Sequence, residues 1–355
     1  MEKIKYIPFL KLKENEIFAV KELKDPFKSQ ILPLFDIPRK KDLDSSILQK
    51  SIDSGIKKIN THLNFLENFY IDTFDIDDSL HINGKHNYYY ILKQCNNSAI
   101  PVTSIDRNVE QINSIELALK DELISNKVIA LRFQKEDFIN FQLIKDDIED
   151  LLGDLINKFE KIDIIFDNRI CSEKTIFLSN NIIKFIEDFA KIYKIRFITI
   201  SGSVIDSTIG NIVKTQDSTL LHRYDMDIFN IVQKHFSKKY KIIFSDYGII
   251  SPNYSDIDIP GYMLRNIMTP KIIYSYDNKH FIIRGGALAS HERGDEQYFD
   301  FAKIIVNKKF YRGENFSFGD KYLKEKSLEQ GKKVTASSIL KPTINAHMTY
   351  ILSIV

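Results

Sequence analysis

Short apolar runs rich in Ile, Val, Phe and Tyr alternate along the chain with longer amphipathic stretches, at intervals of roughly 30 residues, the size of one strand–helix unit. Eight runs stand out: Tyr6–Lys11, Ile31–Asp36, Phe69–Asp72, Ile100–Asp106, Val128–Phe133, Ile162–Asp167, Ile195–Ser201 and Lys241–Asp246. Each is nearly continuous in apolar character, as parallel strands buried on both faces must be. The stretches between them are long enough for crossover helices, for example Glu16–Leu23, Ser46–His62, Asp137–Phe159 and Glu173–Tyr193. Eight such units in order predict an α/β fold, a (β/α)8 TIM-like barrel. An open doubly wound sheet is the alternative. No short-period repeat suggests a solenoid.

The pattern breaks after the eighth run. Ser251–Pro270 reads as a loop with Pro252, Pro260 and Gly261. Lys271–Tyr276 and His280–Gly286 flank the polar turn Asp277-Asn278-Lys279, a β-hairpin signature. A helix is expected at Gln297–Phe310, and the chain ends in an apolar segment, Ile344–Ile354. The expected organisation is one domain over residues 1–355. Strands 1–8 of the barrel fall within 1–250, and 251–355 form a C-terminal β-hairpin and helix extension packing on the barrel.

Composition narrows the function classes. With 50 basic and 48 acidic residues the net charge is only +2, so bulk attraction to nucleic acid or to an anionic membrane is not expected. No apolar run reaches the length of a membrane span, and Met1–Tyr6 leads straight into a strand-like run without a signal sequence. Cys95 and Cys171 have no metal-binding or redox spacing. The expectation is a cytoplasmic protein.

In a barrel of this kind the site lies where strands end and the βα loops begin. The predicted strand ends carry Lys11, Asp36, Asp72, Asp106, Arg132, Asp167, Ser201 and Asp246. Asp is a favoured loop and N-cap residue, so any one of these is unremarkable alone; the whole set suggests a polar cavity. Its carboxylates could hold a divalent cation, divide into an acid and a base, or form a neutralised ion network with Lys11 and Arg132. Spacing along the chain does not separate the three. Ser201-Gly202-Ser203 could offer hydrogen bonds to a phosphate after the seventh strand, or be an ordinary turn. Asp246-Tyr247-Gly248 sets a carboxylate beside a ring hydroxyl, with glycine as the bend. His291 and His347 lie among small and polar residues, but no HExxH, GxSxG or Walker pattern occurs.

Six segments resemble the phage-type beta protein family. They are Tyr6–Glu16, Pro33–Pro38, Asp246-Tyr247-Gly248, Ile272–Ser275 leading to Arg284-Gly285, Phe316–Tyr322 with Ser317 and Asp320, and Asn345–Thr349. They occur in the family's order over nearly the whole chain. Ala346 stands where the family shows the first of two histidines, which argues against a catalytic or metal role for that pair. The resemblance implies association with phage and mobile elements, a context of anti-phage defence, and a protein partner encoded nearby, such as a nuclease.

The first expectation is therefore a defence or mobile-element component whose barrel mouth recognises a ligand or partner, phosphorylated or nucleotide-like. Lys11, Arg132 and Arg284 would supply positive charge, Ser201 and Ser203 hydrogen bonds, and Tyr247, Asp320 and His347 further contacts. The second is a metal-assisted hydrolase of a phosphate-containing substrate, with Asp36, Asp167 and Asp246 holding a cation or acting as acid and base. The third is a non-catalytic structural partner of a nuclease. From the placement of the motifs, the extension is expected to fold over the mouth and complete the pocket, bringing Arg284 and Asp320 towards Lys11 and Asp246.

Overall fold

The computed structural model describes residues 3–237, 239–254 and 264–355. Eight parallel strands close into a barrel in sequence order: β1 (Tyr6–Lys11), β2 (Leu34–Asp36), β3 (Phe69–Asp72), β6 (Ala99–Thr103), β7 (Val128–Gln134), β8 (Lys161–Ile170), β9 (Ile195–Ser203) and β11 (Ile242–Asp246). All eight expected strands are present, and the closed order excludes the open sheet. The helices between them are α1 (Glu14–Lys21), α2 (Ser45–His62), α3 (Asn87–Gln94), α4 (Val109–Lys120), α5 (Phe141–Ile156), α6 (Thr175–Phe189) and α7 (Tyr224–Phe236). A two-residue hairpin, β4 (His81–Ile82) with β5 (Lys85–His86), precedes α3.

Local chemistry sets the helix starts. Asp44 accepts a hydrogen bond from the Ile47 amide at the head of α2, and Asn108 does the same for Gln111 at the head of α4. Along α2, Leu48, Ile52, Ile56 and Ile59 recur at helical spacing and are buried against the barrel. Inside the barrel, Ile7, Phe9, Leu34, Tyr70, Val102, Ala130, Ile165, Phe197 and Ile243 form a separate apolar filling. Side chains alternate across a strand, so these positions fix which residues at each strand end point inward.

The hairpin is present as β12 (Lys271–Tyr276) and β13 (Lys279–Arg284), preceded by a short helix α8 (Leu264–Ile267). Much of the expected Ser251–Pro270 loop, residues 255–263, lies outside the described residues. An unexpected strand, β10 (Asp217–His222), leaves the loop after β9 and pairs antiparallel with β13. The resulting three-stranded sheet buries Ile272, Tyr274, Phe281 and Ile283 against α9 (Gln297–Val306) and α10 (Phe318–Ser327), while Ile273 and Ile282 face the main core.

The last helix, α11 (Leu340–Ile354), changes the picture of the extension. It packs along α1, where Lys341 pairs with Glu22 at 2.9 Å and the Asn345 amide donates to the Ala19 carbonyl. Its end lies beside Met226 and Phe229 of α7. A helix between the seventh and first helices, outside the eighth strand, occupies the place of the barrel's eighth helix. The sheet, α9 and α10 are thus inserted between the eighth strand and its helix. Among the described residues no helix is long and apolar enough to cross a membrane.

Candidate functional site

Register brings Lys11, Asp36 and Asp72 side by side at the ends of β1, β2 and β3, and Gln134, Asp167 and Ser201 side by side across β7, β8 and β9. Arg132 points into the barrel below them and joins the two groups. Its Nη1 donates to Asp36 at 2.9 Å and Asp72 at 2.7 Å; its Nη2 donates to Asp167 at 2.7 Å and to the Tyr247 hydroxyl at 2.9 Å. The Tyr247 hydroxyl donates to Asp167 at 2.6 Å. Lys11 bridges Asp36 and Asp75, and Arg107 donates to both Asp72 oxygens. Phe9 below and Phe74 above hold the Arg132 guanidinium between two rings, 5.0 and 4.5 Å from their centroids.

The three aspartates respond differently to this setting. Burial alone would raise the Asp36 carboxyl, but Arg132 and Lys11 outweigh it and hold it below its ordinary value. Burial is likewise overcome at Asp167, by Arg132 and the Tyr247 hydroxyl. At Asp72 burial prevails over Arg107 and Arg132, and the carboxyl is raised. The network is an ion cluster in which one guanidinium bridges carboxylates from three strands, with Lys11 and Arg107 adding positive charge.

Above this floor the mouth carries polar atoms without a protein partner. They are Thr73 Oγ1, Ser104 Oγ, Arg169 Nη1 and Ser201 Oγ; Arg107 Nε has only the Asp106 carboxylate, at 3.7 Å. The guanidiniums of Arg107 and Arg169 both lie within 5.0 Å of the Phe74 ring. The segment after β11 lies across the opening: Arg169 donates to the Pro252 carbonyl and to Asn253, and the Tyr254 ring covers Lys11 at 5.3 Å. Ser201-Gly202-Ser203 stays within β9 rather than forming a turn. A Cβ on Gly202 would fall 2.5 Å from the Cys171 sulfur, so close packing of the strand requires glycine there. Ser203 Oγ accepts from the Ile205 amide and donates to the Ile250 carbonyl, above the ion cluster.

Asp246 does not join the mouth. Ile243 and Tyr247 face inward, so Asp246 faces outward, away from Lys11. A cation site made of Asp36, Asp167 and Asp246 therefore does not form, and no group of three or more potential ligands converges among the described residues. Asp246 instead accepts from Arg223 at 2.6 Å, from the Tyr6 hydroxyl, and from the Gly248 amide at 2.9 Å, and contacts His347 Nε2 at 2.8 Å. His347 Nδ1 meets Ser275 Oγ at 2.6 Å, and the same oxygen meets His280 Nδ1 at 2.9 Å. This order of Ser, His and Asp resembles a nucleophilic relay. Ser275 is buried between two histidines, however, so its oxygen is enclosed on both sides. The relay is a joint between the barrel wall, the eighth helix and the inserted sheet.

Arg284 and Asp320 make no hydrogen bond or ion pair with Lys11 or Asp246. Arg284 donates to Thr269 and to the Val213 carbonyl, and Asp320 accepts from Tyr274 and Ser317 with Arg312 at 3.8 Å. Both have partners of their own, away from Lys11. Residues of five of the six segments nevertheless meet in space: Tyr6, Asp246, Ser275 and His347 in the joint, Tyr274, Ser317 and Asp320 behind it. Sequence reasoning missed Arg107, Arg169, Phe74, Arg223 and His280. Arg107 and Phe74 lie in loops past the strand ends, and Arg169 lies at the end of β8, past the expected end at Asp167; only the fold brings the three together around the Phe74 ring. The model of the protein family described as Beta protein matches residues 6–353. No curated protein matches the chain.

Proposed function

We propose, for a chain that belongs to the Beta protein family, that it is the recognition component of an anti-phage or mobile-element system and that its barrel mouth receives a small anionic ligand of phosphate or nucleotide type. The observation that carries this reading is the set of buried donors at the strand ends without a hydrogen-bond partner, from Thr73, Ser104, Arg169 and Ser201, with the Arg169 guanidinium against the Phe74 ring. Buried donors demand partners, because each left unmade costs about 1–3 kcal/mol. The carboxylates below are already engaged by Arg132, Lys11 and Arg107, which leaves Arg169 as the guanidinium of the mouth without an ion pair among the described residues. Phe74 packs against its guanidinium at 4.8 Å and fixes its position. Because Asp36 and Asp167 are engaged by Arg132 and Asp246 faces outward, the arrangement favours recognition over hydrolysis. Signal would then pass to an effector protein, such as a nuclease.

Thermal unfolding of the purified protein with inorganic phosphate and with nucleoside mono-, di- and triphosphates tests the reading. At least one should raise the melting temperature of the native chain and leave Arg169→Ala unaffected. The same variant should lose protection in a phage-plaquing assay. No shift with any of these anions, together with full protection by Arg169→Ala, would overturn it.

A further inference from the structure

Two surfaces on opposite sides of the barrel each join apolar residues to charge, of opposite sign. The first is a groove of about 280 Å³ between α1 and α2, floored by Leu12, Ile17 and Pro38. Gly55 helps form it: a Cβ there would fall 2.5 Å from Leu12 Cγ, so the helix can sit this close to the end of β1 only without a side chain. Lys13, Lys40, Lys50 and Lys58 line the groove. Glu14 pairs with Lys58, while Lys13, Lys40 and Lys50 make no ion pair with any described residue.

The second surface lies on the fifth and sixth units. Leu143 is 73% exposed, Ile176 69%, Phe177 60% and Ile139 54%. They come from the start of α5, the start of α6 and the 3-10 turn Asp137–Ile139, which touches both helices. Isolated exposed apolar residues are ordinary, but four large ones on touching elements make a patch of the kind that marks an interface. Asp146, Asp147 and Asp150 follow Leu143 at helical spacing on the exposed side of α5, and none is ion-paired among the described residues. Lys145 and Lys174 lie nearby, so the charge around the patch is mixed but predominantly negative.

We infer that the second surface of one copy of this chain docks into the first surface of another, with Leu143 entering the groove and the carboxylates of α5 meeting its lysines. The groove has a basic rim and an apolar floor; the patch has an acidic rim and an apolar crown. In an eight-unit barrel the gap between units one and two lies opposite the gap between units five and six. Contacts between opposite faces are heterologous and do not close on themselves, so the product is an open chain of copies rather than a two-fold dimer.

Sedimentation velocity of the full chain over a concentration series tests this. The native protein should form species larger than a dimer, and added salt should weaken their formation. Leu143→Ser loses the patch but keeps the groove; Lys50→Glu weakens the groove but keeps the patch. Each change should weaken self-association by about tenfold or more, as loss of a central contact does. Both positions are exposed, and unchanged melting temperatures verify that the variants fold. An equimolar mixture of the two variants retains one complete pair of surfaces and should form dimers and nothing larger. A native protein that is monomeric at every concentration overturns the inference. So does native association that stops at the dimer, or a mixture that stays monomeric.

Discussion

His347 Nε2 lies 2.8 Å from a carboxylate oxygen of Asp246, joining the eighth helix to the outer wall of the eighth strand across 101 residues of chain. The contact is buried, and Arg223 and Tyr6 complete the Asp246 surroundings. Asp246→Asn removes the charge that faces Arg223 and leaves a buried guanidinium undercompensated. The expected loss is about 3–5 kcal/mol in urea unfolding. His347→Ala should cost about 2–4 kcal/mol through the cavity and the stranded Ser275 hydroxyl. A loss below about 1 kcal/mol for both would mean that the joint is structurally idle.

Acid should weaken the same joint in two stages. Burial, reinforced by Arg223 and His347, pushes the His280 ring well below the usual histidine range. Below pH of about 6.5 the unfolded chain takes up a proton there that the folded chain does not, so stability falls as pH falls, by up to ~1.4 kcal/mol per unit. Burial would raise the Asp246 carboxyl, but His347, Arg223 and Tyr6 hold it far below its ordinary value. Its contribution is therefore intact above about pH 3.9 and is lost as pH falls through the folded value. Melting temperature against pH should show the first decline, and His280→Gln should flatten it. An unchanged profile in that variant would assign the decline to other groups.

At the mouth, Arg132→Lys is not a conservative change. An ammonium cannot reproduce the fork that reaches Asp36 and Asp72 with one nitrogen and Asp167 with the other. The variant should unfold about 3–5 kcal/mol more easily. If thermal and urea midpoints match the native chain, the ion cluster does not organise the barrel end.

Glu16 offers the opposite experiment. Its carboxyl is buried at the start of α1 and accepts from the Lys11 amide. Burial, only partly offset by Lys13 and that amide, pushes it up to about 8. Between the unfolded value of about 4.3 and that folded value, the unfolded chain releases a proton that the folded chain keeps, so stability falls as pH rises. Glu16→Gln should stabilise the protein at pH 7, by ~1–3 kcal/mol, and leave it unchanged near pH 4. A stabilisation equal at both pH values would point to packing instead of proton linkage.

Much of this was legible from the apolar runs alone. Strands buried on both faces announce themselves, and each expected strand, including Phe69–Asp72 and Val128–Phe133, is found within a few residues. β10 escaped notice because Asp217–His222 lies at the edge of a sheet and is mostly exposed, so its pattern is weak. The mouth was legible in part: Lys11, Asp36, Arg132, Asp167 and Tyr247 do converge. Asp246 was misplaced because a strand end was treated as a direction. Counting from Ile243 by twos selects Tyr247 and rejects Asp246, so the information was present in the period of the strand. Arg223 and His280 gave no such sign, because their neighbourhood is created by an insertion that returns to the barrel wall.

The placement of α11 also bears on how the molecule is made. The outer face of α1 is covered by a helix synthesised more than 300 residues later, through Ala19–Asn345 and Glu22–Lys341. At about 5–20 residues per second, the first unit emerges from the ribosome tens of seconds before its cover. During that interval Ile17 and Val20, buried in the finished protein, have no partner from the last helix. The strands can close once β11 has emerged, but the covering of α1 waits for the last helix. Lys5 also donates to the Val355 carbonyl, so a linker joining these two residues, with the chain opened in the exposed loop between α4 and β7, should yield a permuted protein that still folds.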